Sequence, residues 1–267
     1  RYTDDDKDLT VDSANPGGTV LPGAISVSDS FFNWDVALTW DMNEDWTWYG
    51  RLATGSRGPV TLGRFGFVSS ADTEDSTALE LGFKASLTDG RARWNTAIYT
   101  FRNDDHQVTA TGGAANVNQL LNADHVNGQG IETEFDLLVT ENLFIAFNLS
   151  YNDTEIDDPN LRIPTCGSGA CTVVDDLDTD GFAIVDGNPL PNAPEWNYNI
   201  RLQYTVPMSA GELYFATDWM FQSDMQFLIY DAVEFHSGDI MEGGVRIGFT
   251  ADSGRWDAAV FGRNITD

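Results

Sequence analysis

A chain of 267 residues with 42 acidic against 14 basic side chains has a formal charge of −28, and so dense a negative field excludes nucleic acid as a partner. The length fits one all-β barrel or two ordinary domains, the hydrophobic fraction of 42% is unremarkable, and no run of about 18 apolar residues is present to make a spanning helix. That last exclusion does not reach strands, because alternation dilutes the hydropathy of any window and lets a β-barrel cross a bilayer unannounced.

Residues 4–30 are rich in Asp, Gly, Pro and Ser without periodicity, and a long exposed loop is expected there. Over 31–40, Trp34, Val36, Leu38 and Trp40 alternate with Asp35, Ala37 and Thr39. After a short turn at 41–45, Trp46, Trp48 and Leu52 alternate with Thr47, Tyr49, Arg51 and Ala53 across 46–55. Period two gives each strand one apolar and one polar face. The tryptophans gather at the turn end of this hairpin. In water such a stripe invites association, whereas at a bilayer interface it forms an aromatic girdle.

A second loop is expected at 55–75. The strand at 77–87 sets Leu79, Leu81, Phe83, Ala85 and Leu87 against Glu80, Gly82, Lys84 and Ser86. Thr88-Asp89-Gly90 turns it into 91–103, where Trp94 and Ile98 mark one face while Tyr99 and Phe101 obscure the assignment. Residues 104–129, with Gly112-Gly113 and several Asn, read as loop. In 130–139, Ile131, Thr133, Phe135, Leu137 and Val139 alternate with Glu132, Glu134, Asp136 and Leu138. Carboxylates on one face of a strand cannot lie against hydrocarbon, where each unpaired charge costs several kcal/mol, so they must face water or arginines. A turn at 140–142 leads into 143–155, where Leu143, Ile145, Phe147, Leu149 and Tyr151 oppose Phe144, Ala146, Asn148, Ser150 and Asn152.

The longest predicted loop, 157–193, holds both cysteines, Cys166 and Cys171, with four small residues between them. That spacing lets the sulfurs meet, and a local disulfide implies an oxidising compartment. A metal-binding pair would need further Cys or nearby His, and the sequence supplies none. Asp175, Asp176, Asp178 and Asp180 follow as an acidic run. It reads as an unstructured acidic loop or, if roughly six to eight oxygens converge, as a calcium site.

Strands are expected at 195–206, 212–223, 240–250 and 255–265, joined by a turn at 207–211, a loop at 226–237 and the turn Asp252-Ser253-Gly254. The whole is then ten strands in five hairpins, with short turns alternating with long loops. This is the rhythm of an antiparallel up-and-down transmembrane β-barrel, and strands of about 10 residues cross a hydrocarbon slab when tilted. The polar faces collect Asp35, Arg51, Glu80, Lys84, Arg93, Glu132, Glu134, Asp136, Arg201, Asp218, Arg246, Asp257 and Arg263, which become candidates for the wall of a wet lumen. His106, His125 and His236 fall in predicted loops without metal-ligand spacing and read as solvent-exposed loop histidines. No phosphate loop, nucleophile elbow or paired-carboxylate signature is found, so neither an enzyme nor a cofactor is expected.

Several stretches resemble a known family. Asn192-Ala193-Pro194-Glu195-Trp196 opening a strand, and Trp256 followed by Phe261-Gly262-Arg263-Asn264-Ile265-Thr266-Asp267, resemble the closing strands of TonB-dependent outer-membrane receptors. The likeness recurs in Arg1-Tyr2-Thr3-Asp4, Tyr49 to Gly58, Leu79 to Lys84 and Gly130 to Glu134, and departs at Ser56, where the related Gly-Tyr-Arg wording has an aromatic. The resemblance implies a barrel of about 22 strands around a plug. Residues 1–267 would be one partial barrel domain, its strands the twelfth to the twenty-first, with Arg1-Tyr2-Thr3 the stub of the eleventh and the plug lying outside the chain. It also implies a place in the bacterial outer membrane and uptake of a scarce, bulky nutrient such as a ferric siderophore. The implied partners are outer-membrane lipid, a small-molecule ligand such as a metal chelate, and TonB, reached through the missing N-terminal part. The alternatives are a passive porin-like channel and a secreted acidic β-sandwich that binds sugar or calcium.

Overall fold

The computed structural model describes residues 1–11, 23–64, 67–112, 117–166 and 170–266. Parts of the expected loops at 12–22, 65–66, 113–116 (with Gly113) and 167–169, and the final Asp267 of the closing motif, lie outside the described residues. The strands are β1 (Tyr2–Val11), β2 (Gly23–Phe32), β3 (Asp35–Asp41), β4 (Trp46–Arg57), β5 (Val60–Arg64), β6 (Phe67–Ala71), β7 (Glu74–Leu87) and β8 (Ala92–Gly112). They continue as β9 (Val117–Thr140), β10 (Leu143–Asp157), β11 (Arg162–Pro164), β12 (Phe182–Ile184), β13 (Trp196–Met208), β14 (Gly211–Gln222), β15 (Ile240–Ala251) and β16 (Asp257–Gly262). No helix among the described residues is long and apolar enough to cross a membrane, which says nothing of strands.

Ten strands form one antiparallel sheet in the order β16-β15-β14-β13-β10-β9-β8-β7-β4-β3, leaving β3 and β16 as open edges. These are the ten strands expected from alternation, joined in the expected order. The tight turns follow local chemistry. At the β7–β8 turn Thr88, Asp89 and Gly90 all take positive φ (53°, 55° and 82°), a conformation that glycine adopts freely and that short polar side chains tolerate.

The expected long loops are corrected in four places. The stretch read as loop at 4–30 holds the β1–β2 hairpin, and 55–75 holds β5–β6. The loop expected at 104–129 is replaced by continuous pairing, because β8 and β9 run on past the sheet as far as Gly112 and Val117. Within 157–193, β11 pairs with β12. Arg1-Tyr2-Thr3 is likewise no three-residue stub: β1 is ten residues long and pairs with β2 in a separate sheet. The strands within these segments bury at most one or two apolar residues each, too few to leave a long period-two stripe, so their backbone pairing forms without that signal. On β1 and β2 the register brings Asp4, Asp6 and Asp8 opposite Ser30, Ser28 and Ser26.

Register carries most of the apolar residues of the ten strands onto a single face. One cross-strand row runs Leu38, Gly50, Leu81, Ile98, Ile131, Tyr151, Trp196, and the next runs Trp40, Trp48, Phe83, Thr96, Thr133, Leu149, Tyr198. These residues are not packed against a second layer: Leu38 is 76% exposed and Val260 80%. A β-sandwich would have stacked a sheet on this face. On β7 the belt extends from Leu79 to Leu87, about 26 Å of strand at about 3.3 Å per residue, or about 20 Å of depth at a tilt near 40°.

Aromatic rings border the belt. Trp46, Trp48, Phe83 and Trp94 form a chain of contacts at the short-turn end, with centroids 4.9 to 6.3 Å apart. Phe249 and Trp256 meet at 5.4 Å at the same end, and Tyr151 with Trp196 at 4.6 Å at the other.

The buried core lies elsewhere. Val108, Ala110, Ala123, Val126, Ile156, Leu161, Ile163, Ala183, Val185, Ile229, Tyr230 and Ala232 pack together, all from the far ends of β8–β10 and from the long connections. The protein therefore has an apolar belt turned outward and a separate packed cap above it.

Candidate functional site

The polar face of the sheet is the other product of alternation. Register places Asp35, Arg51, Glu80, Lys84, Arg93, Glu132, Glu134, Asp136, Arg201, Asp218, Arg246 and Asp257 on that one face, opposite to the belt. Arg263, just past β16, reaches the same face by pairing with Asp218 at 2.7 Å.

Charge is laid out along this face in local pairs. Arg93 binds Asp136 at 2.5 Å, Arg51 stands 3.6 Å from Asp35, and Arg246 lies 3.4 Å from Asp257 while its Nε donates to the Tyr214 hydroxyl at 3.0 Å. Asn95 donates to Glu134, and Arg201 donates to Gln203 at 3.1 Å. Tyr49, Lys84, Glu132, Glu134, Asn148 and Asn199 border one groove. All these ion pairs are open to solvent, where such pairs contribute about 0–1 kcal/mol each. Arg93→Ala is therefore expected to change the unfolding free energy by less than about 1 kcal/mol, as a denaturant titration in detergent would read.

The seating of aromatic rings over glycines on the polar face is the component that sequence reading missed. Tyr99 lies over Gly130 and Phe101 over Gly128, Tyr49 covers Gly82, and Tyr214 covers Gly248. A Cβ at any of these glycines would overlap the ring. The Tyr99 hydroxyl then donates to Asn152 at 2.8 Å, which resolves the mixed pattern of β8: Tyr99 and Phe101 face the polar side, Trp94 and Ile98 the belt. The signal available was a glycine directly across the strand pair from each ring. Gly130→Val should expel the Tyr99 ring, break its bond to Asn152 and cost about 1–3 kcal/mol, measurable as a lower unfolding midpoint.

The cap holds the remaining candidates. Cys166 and Cys171 are joined in a disulfide. The acidic run is ordered rather than unstructured. Asp175 accepts the Asp231 N–H at 2.8 Å and the Asn188 amide at 2.9 Å, and Asp178 accepts the N–H groups of Asp180 and Phe182 at 2.9 and 3.0 Å. Burial pushes the Asp175 carboxyl above its ordinary range, against the pull of those two bonds. Asp176 and Asp180 accept none of these bonds, and among the described residues no three His, Cys, Asp or Glu side chains are grouped to hold a metal ion.

The histidines are not free loop side chains either. His106 is in β8, 3.2 Å from Glu74, and His125 is in β9, its Nδ1 2.8 Å from Asp104 though without the alignment of a hydrogen bond. His236 lies between two carboxylates, Asp224 at 2.5 Å and Asp231 at 2.8 Å. Pairing of β8 with β9 sets His125 against Asp104, the neighbouring β7 brings Glu74 to His106, and the path of the β14–β15 connection turns His236 onto Asp224 and Asp231.

Comparison with known proteins places this architecture. A family model described as "TonB dependent receptor-like, beta-barrel" matches residues 1–259. The ferric yersiniabactin uptake receptor FyuA from Yersinia pestis superposes with a TM-score of 0.73 at 15% identity, over 100% of this chain and 37% of that one. The siderophore receptor PiuA from Acinetobacter baumannii gives 0.70 at 15% identity over 100% and 36%, and the FrpB iron transporter from Neisseria meningitidis 0.61 at 14% identity over 91% and 36%. At such identities the likeness is one of fold, and the chain spans little more than a third of the length of these structures.

Proposed function

Given that the chain belongs to the TonB-dependent receptor-like β-barrel family, we propose that it forms the wall and outer cap of a receptor for energised uptake of a scarce, bulky nutrient such as a ferric siderophore. The members of this family are outer-membrane transporters rather than enzymes. The observation that carries the reading is the two-faced sheet, with an unpartnered apolar belt bordered by aromatic rings on one side and a continuous charged and amide-rich surface on the other. In a closed barrel the belt meets lipid, and Arg51, Glu80, Lys84, Glu132, Glu134, Asp136, Arg201, Asp218, Arg246 and Arg263 line the lumen. The cap captures the ligand. TonB acts through a plug supplied by sequence outside this chain, drawing on the inner-membrane proton gradient.

Two measurements on the complete receptor test this. In vesicles of brominated lipid its belt tryptophans should be strongly quenched, and a folded, monomeric protein unquenched in plain buffer would defeat the membrane reading. Ferric-chelate uptake by cells expressing it should stop when TonB is deleted; uptake that persists would transfer the protein to passive diffusion channels.

A further inference from the structure

The β14–β15 connection is stitched to the β10–β13 connection. Val174 N–H donates to Asp231 O, Val233 N–H to Thr172 O, and Thr172 binds Glu234 through both its N–H and its hydroxyl. The Asp231 N–H in turn donates to Asp175, and Gln226 donates to Pro189 O at 3.0 Å. His236 stands at the root of this seam. Its Nδ1 is 2.5 Å from Asp224 Oδ2, at the exit of β14, and its Nε2 is 2.8 Å from Asp231 Oδ1, inside the connection.

Both ring nitrogens thus face carboxylate oxygens. A neutral imidazole has one N–H and one lone pair, so it can satisfy only one of them; the imidazolium donates to both. The other acids nearby are Asp175 across the seam, Glu234 within the connection and Asp239, which accepts the Asp224 N–H. Among the described residues, His236 is the one basic group ion-paired with Asp224 or Asp231.

We propose that His236 is a proton-operated latch: charged, it ties Asp231, whose backbone makes two of the bonds across the seam, to Asp224 at the exit of β14, and loss of its proton loosens that hold and with it the seam of the outer cap. The bonds to Asp231 and Asp224 raise the histidine's affinity for its proton above the ordinary value near 6.5. A raised value places the stabilisation fully below the unfolded pKa and removes it as pH climbs through the folded one. Burial opposes the charge on Asp224, yet the His236 and Gly238 bonds outweigh it and hold that carboxyl below its usual range, so the acidic side of the window lies far from neutrality.

Hydrogen exchange of the complete receptor in lipid nanodiscs, corrected for intrinsic rates and followed from acid to alkaline pH, reads the latch directly. Segments 172–190 and 226–237 should keep their protection up to the ordinary histidine pKa. They should then lose about tenfold per pH unit until the proton has left. His236→Gln should show low protection that does not change with pH from the ordinary histidine pKa upward. Flat protection in the native receptor, or a native pH response in His236→Gln, overturns the proposal. Nitrogen NMR of the His236 ring in the unaltered receptor decides independently: a midpoint at or below that of an exposed histidine overturns it even if the variant does not fold.

Discussion

Replacing Leu81 by arginine will prevent stable insertion of the barrel. Leu81 lies in the row Leu38, Gly50, Leu81, Ile98, Ile131, in the interior of the belt, and is 48% exposed with no protein layer above it. A guanidinium there cannot reach water without leaving its strand, and near the bilayer midplane such a charge costs about 2–4 kcal/mol. Urea titration of the complete receptor refolded into phosphatidylcholine vesicles should show a loss of that size, with much of the protein left unfolded outside the vesicles. Ala97→Arg is the control. Ala97 is one residue from Ile98 but on the polar face, opposite Glu132, and there an arginine gains a partner. Its effect should stay below about 1 kcal/mol, the ordinary worth of an exposed pair. Equal losses for both variants would mean that the two faces have been assigned wrongly.

Tyr230→Ala should open the cap and spare the barrel. Tyr230 is 1% exposed, the largest of the fully buried side chains, and it anchors the β14–β15 connection among Ile163, Val185 and Ile156. Truncating a buried aromatic costs about 3–5 kcal/mol, through lost transfer energy and the void left behind. The two connections pack in a cluster of their own, apart from the belt, so the loss should appear as local rather than global unfolding. Limited proteolysis of intact cells should then cleave within 157–193 and 226–237, while the heat-shifted migration of the barrel in electrophoresis is unchanged. A barrel that loses its folded migration together with the cap would show that the two fold as one unit.

The ten strands of the sheet were legible because bilayer and water act on opposite faces of each strand and leave period two in the sequence. Leu79 to Leu87 and Trp196 to Val206 state it almost without interruption. The long connections were illegible for the complementary reason. In β1, Asp4 to Asp8 is polar on both faces, and its pairing is satisfied by the backbone, to which the sequence gives no local clue. The cap core draws single residues from positions as distant as Val108, Ile163 and Tyr230, so no window contains enough of it to show a pattern. The polar-face candidates were readable by parity alone, but not their partners. Arg93 with Asp136 and Arg263 with Asp218 are separated by 43 and 45 residues, and only register brings them together.

The rings laid over glycines on the polar face also bear on how this wall can change over generations. Tyr49 with Gly82, Tyr99 with Gly130, Phe101 with Gly128 and Tyr214 with Gly248 are each a large volume fitted to a vacancy on the neighbouring strand. Neither member can drift alone. A side chain acquired at the glycine displaces the ring, and a ring lost to a small residue leaves bare backbone. Descendants of this chain should therefore exchange such pairs in two linked steps, and a harmful change at one member should be rescued by a matching change directly across the ladder.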